Sequence, residues 1–106
     1  VLWFDAHPDF NTPDTTPSGN THGFPAASAC GYGHPAMLEV GAFTPLMDVR
    51  NLTQFAIRDV DAGERRNLER AGVVFHEMPA VHQHGLVTLV ARALEAARRQ
   101  NAIIHV

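Results

Sequence analysis

Asp5, His7, Asp9 and Asn11 alternate with Ala6, Pro8 and Phe10, directly after the apolar run Val1-Leu2-Trp3-Phe4. In an extended chain, side chains two apart share a face. The spacing therefore predicts two carboxylates, an imidazole and an amide pointing one way at the end of a buried strand. Pro8 supports this, because a proline steers the residue before it away from helical geometry. Two carboxylates left unpaired in such a place are costly, and a divalent cation removes that cost. Hard oxygen donors with one imidazole nitrogen suit manganese, and also zinc, iron or cobalt. No cysteine lies close enough in sequence to argue for a structural zinc site. The bland alternative is a polar loop that merely follows a strand.

A second polar group, Arg58-Asp59-Val60-Asp61, follows the apolar run Leu52 to Ile57. Glu64 stands three residues after Asp61, and the pair reads as a capping box at a helix start. The loop from residue 8 to 21 is rich in Pro, Thr, Ser, Gly and Asn and has no periodicity. Within it, Asn11, Ser18 and Asn20 are turn formers as readily as ligand contacts. His22 lies where a short helix over about 22–29 should begin.

Positioning these residues requires a scaffold, and the pattern supplies one. Strands are expected over 1–4, 52–57, 73–76 and 102–106. Helices are expected over 61–71, ended by Gly72, and over 86–97, where Leu86, Leu89, Val90, Ala93, Leu94 and Ala97 form one apolar stripe. Residues 36–50 fit no single pattern. Strands alternating with helices imply βαβ units and a parallel sheet. Sites in such sheets lie at the carboxyl ends of the strands, where both polar groups fall.

The chain has 106 residues, a formal net charge of −3, seven histidines and one cysteine. That length is one domain at most. The negative balance and the lack of a basic stripe argue against nucleic acid. No apolar run approaches a membrane span. A single cysteine, Cys30, rules out an internal disulfide framework and fits a reducing compartment such as the cytoplasm; it reads as buried rather than reactive. Apolar strand patterns at both ends read as the middle of a longer chain.

Asp-Ala-His-Pro-Asp-Phe-Asn, followed by Ser18-Gly19-Asn20-Thr21-His22-Gly23 and then by Asp59-x-Asp61-x-x-Glu64, resembles the arginase branch of the ureohydrolases. The resemblance implies a three-layer α-β-α domain of the arginase/deacetylase type, here in part. It implies hydrolysis of L-arginine to L-ornithine and urea by a hydroxide held between two Mn2+ ions. Asp5, His7 and Asp9 would be metal ligands, and His22 the proton shuttle. Asn11 and Ser18, with Asn20 nearby, would hold the substrate carboxylate. Asp61, helped by Glu64, would hold its amino group. The family's trimers or hexamers would be the expected assembly. Agmatinase, another ureohydrolase or a truncated metal-binding module are the alternatives. The family also draws a histidine from an upstream glycine-rich motif, and an Asp-x-Asp pair and a glutamate from downstream, none of which is in this sequence. Ala56 stands where the family usually has glycine.

Overall fold

The computed structural model describes residues 1–106. Three parallel strands, β1 (Leu2–Phe4), β2 (Thr53–Ile57) and β3 (Val74–Glu77), lie in that order. Leu2, Trp3 and Phe4 pair with Thr53, Gln54 and Phe55. Both crossovers are helical, as parallel neighbours require. The first carries α1 (Pro25–Ala29) and α2 (Pro35–Leu38), and the second carries α3 (Ala62–Ala71). After β3 come α4 (Met78–His84) and α5 (Leu86–Arg99).

The helices form two layers with the sheet between them. On one face, Phe10, Ala26, Ala27, Cys30, Leu52, Leu68 and Val73 form the larger core, with Trp3 and Phe75 against it. On the other face, Leu2 and Phe55 pack on Leu89 of α5, joined by Val81, Val90 and Ala93. The expected three-layer α/β arrangement is present. Burial raises the Cys30 thiol pKa to about 11, so this cysteine stays a neutral core residue.

Several boundaries differ from the sequence reading. The helix expected over 22–29 splits into a 3-10 turn at Thr21–Gly23 and α1, because Pro25 starts its own helix. The segment 102–106 is not a strand. It is exposed and meets the sheet through a single backbone bond, from Leu2 N–H to the His105 carbonyl (2.8 Å). The pattern missed α4, which at seven residues is too short to show a helical repeat. No helix is long and apolar enough to cross a membrane.

Glycine 72 ends α3 with φ 75°, as expected. Ala56 has φ 67° inside β2, at a bulge where the pairing steps from Phe55–His76 to Ile57–Glu77. A left-handed backbone costs an L-residue roughly 1–2 kcal/mol, against roughly 0.5–1 kcal/mol of chain entropy lost by glycine. Ala56→Gly should therefore stabilise the fold by about 0.5–1 kcal/mol. A rise in the urea midpoint at constant slope would show it, and an unchanged or lower midpoint would refute it.

Candidate functional site

The site is built where the ends of β1 and β2 are stitched together. Asp5 N–H donates to the Phe55 carbonyl (3.2 Å), and the N–H groups of Arg58 and Asp59 both donate to the Ala6 carbonyl (2.9 and 3.1 Å). Beyond this seam the chain does not remain extended. It turns at Asp9 (φ 51°) and drives Phe10 into full burial in the core. Aspartate tolerates that conformation better than most residues.

Side chains from the sheet and α3 hold the turn from beneath. Gln54 Nε2 donates to the Pro8 carbonyl (2.6 Å) and Glu64 Oε1 accepts from the Phe10 N–H (2.7 Å). Asn67 Nδ2 donates to the Phe10 carbonyl (3.2 Å), and the Ala27 N–H donates to the Asp9 carbonyl (3.1 Å). The buried Gln54 Oε1 is left without a partner.

Above the turn lies a cleft of about 190 Å3 with no hydrophobic residue in its wall. Of the candidate residues, His7, Asp9, Asn11, Ser18, Asn20, His22, Asp61 and Glu64 line it. Asp5 does not. It sits just outside, where Oδ1 accepts from the His7 N–H (3.0 Å) and lies 3.6 Å from His7 Nδ1. The strand ends at Phe4, so alternation does not carry as far as Asp9. The turn, and not a strand face, brings His7, Asp9 and Asn11 together.

Asp61 takes the N-cap position of α3, but its side chain caps nothing. Its Oδ2 accepts from Asn11 Nδ2 instead (2.9 Å). Glu64 is 4% exposed. Burial is the main force raising its pKa, opposed by the N–H groups of Phe10 and Asp61. Ser18 and Asn20 sit on an exposed loop, with Ser18 Oγ accepting from the Asn20 N–H (3.2 Å). His22 lies at the rim, in the 3-10 turn.

Three further residues line the cleft: Thr16, Gly23 and Asp59. Asp59 Oδ2 is 3.6 Å from His7 Nε2. It was within reach of the sequence argument, since it stands two residues before Asp61 at the same strand end. Thr16 carries no such signal among its neighbouring threonines.

Burial, and next the Asp5 carboxylate, raise the Asp9 pKa, while the His7 and His22 imidazoles lower it. Such crowding of acids suits a cation. The donors here match a hard divalent ion in kind, but no three His, Cys, Asp or Glu side chains converge to hold one. In number, the set is incomplete.

A family model described as the Arginase family matches residues 1–106. The arginase of Bacillus caldovelox is 31% identical over 105 residues, covering 99% of this chain and 35% of that protein. Its native structure superposes with a TM-score of 0.89 at 32% identity, over 92% of this chain and 33% of that one. The arginase of Entamoeba histolytica, solved in complex with L-ornithine, gives a TM-score of 0.82 at 29% identity, over 91% and 32% of the respective chains. The chain thus spans about a third of the length of these relatives.

Glu64→Gln keeps an acceptor for the Phe10 N–H and removes a buried charge. The folded pKa lies above the ordinary 4.5. The carboxyl therefore favours the folded state most when protonated, and that contribution fades as pH rises through the folded pKa. The wild type should lose stability relative to Glu64→Gln on going from below pH 4.5 to neutrality. Paired denaturation curves across that range check this, and a constant gap between them would refute it.

Proposed function

The chain belongs to the arginase family, and from that membership we propose that it forms part of a manganese-dependent hydrolase converting L-arginine to L-ornithine and urea. One observation carries the substrate assignment. Asn11 presents an amide NH2 beside the Asp61 carboxylate, 2.9 Å away, on a cleft wall without hydrophobic residues. A donor next to an anion complements the carboxylate and ammonium of a zwitterionic amino acid. The ornithine complex of the Entamoeba histolytica relative supports the same class of ligand.

In this reading, Asp5, His7 and Asp9 would hold manganese together with ligands from elsewhere in the complete protein. Bound divalent ions supply a nucleophile at neutral pH and a sink for developing negative charge. This chain's residues then bind and orient the substrate. Asn11 and Ser18, with Asn20 beside them, receive the α-carboxylate. Asp61 receives the α-ammonium, with the buried Glu64 adding negative potential behind it. His22 carries a proton between the cleft and solvent, a role that suits an imidazole at an exposed rim.

The complete protein, loaded with Mn2+, should release urea from arginine far faster than from agmatine, which lacks the carboxylate. Asp61→Asn should lower kcat/KM for arginine about tenfold or more, the usual cost of losing a hydrogen bond to a charged group. No urea from arginine, or a preference for agmatine, would overturn the proposal. The 106-residue chain by itself, whose donors do not converge, should release no urea with added manganese, and turnover by it would contradict the incomplete set.

A further inference from the structure

We infer that Thr15 and Asn67, which do not line the cleft, fix which way round the Asn11 amide faces and so act as positioning residues for recognition of the substrate carboxylate. The inference rests on the amino-acid substrate reading and deepens it.

Thr15 Oγ1 has one proton and two lone pairs. The Thr12 N–H reaches it at 2.9 Å and Asn67 Nδ2 at 3.0 Å. Both are obligate donors, so both lone pairs are in use. The single proton must then be given away. Asn11 Oδ1 receives it at 3.0 Å, nearer than the Thr12 hydroxyl (3.3 Å) or the Thr12 carbonyl (3.4 Å).

With its oxygen held by Thr15, the Asn11 amide can only turn its NH2 the other way. One N–H goes to Asp61 Oδ2, and the second remains for a ligand. The two ends of an amide are nearly alike in shape. Without the Thr15 proton, the reversed orientation would show a carbonyl oxygen to an incoming carboxylate. The Thr15 proton on one side and the Asp61 carboxylate on the other thus hold the amide in the orientation that attracts a carboxylate.

The relay is anchored at both ends. Asn67 Nδ2 also donates to the Phe10 carbonyl, which ties it to the turn beneath the cleft. Gly63, in the first turn of α3, passes so close that a Cβ there would meet Thr15 Cβ and its carbonyl oxygen at 2.9 Å. Thr15 cannot shift toward α3, and its hydroxyl keeps its place.

The test is binding of L-ornithine against putrescine, its counterpart without the carboxylate, to the complete manganese-loaded protein by calorimetry. The wild type should prefer ornithine. Thr15→Val, which keeps the shape and loses the hydroxyl, should cut that preference about tenfold. Asn67→Asp should do the same, because a carboxylate would draw the Thr15 proton to itself. Thr15→Ser should restore the preference. A merely structural role would lower Tm and weaken both ligands together. An unchanged ornithine-to-putrescine ratio in a folded Thr15→Val or Asn67→Asp protein would overturn the inference. A wild type with no preference for ornithine would overturn the substrate reading instead, and the inference with it.

Discussion

The site depends on burying one turn of backbone. Phe10 is fully buried in the larger core, and it takes the peptide groups of Pro8, Asp9 and Phe10 with it. No strand ladder serves them, because β1 has already ended at Phe4. Each buried peptide group left without a partner would cost about 1–3 kcal/mol. Gln54, Glu64 and Asn67 supply the partners, and α1 supplies another through the Ala27 N–H. An aromatic anchor therefore pulls a polar segment inward, and side chains from β2 and α3 make that position tolerable. The cleft above is the outer surface of the same turn.

This explains why α3 departs from the ordinary way of starting a helix. An aspartate at the N-cap usually gives its side chain to the first turn, for about 1 kcal/mol. Asp61 gives its carboxylate to Asn11 across the cleft. Glu64 reaches away from solvent to the Phe10 N–H. The residues that sequence reasoning read as a capping box are thus shared between the helix and the site. A local rule broken in this way is characteristic of functional positions.

Features set by near neighbours were legible in the sequence. The parallel β2–α3–β3 unit, the start of α3 at Asp61 and its stop at Gly72 follow from short-range signals, and all three are present. A strand also needs a partner, which is why the apolar run 102–106 misled: apart from one bond to Leu2, nothing pairs with it. The face shared by Asp5 and Asp9 was lost because strand alternation stops before the turn. The network around Thr15 could not be read at all, since Asn67 and Thr15 are 52 residues apart in sequence. Only the folded chain brings them together.

The acids at the strand ends do not hold themselves in place. His7 lies 3.6 Å from a carboxylate on either side, Asp5 and Asp59, but these groups are largely exposed and such pairs are worth little. Their grouping comes from the backbone bonds of Asp5, Arg58 and Asp59, which clamp the two strand ends together whatever the side chains carry. The arrangement is costly for Asp9, whose pKa is raised first by burial and then by the Asp5 carboxylate. A fold selected for stability alone would have no use for this crowding. The backbone clamp and the buried turn beneath impose it despite that cost.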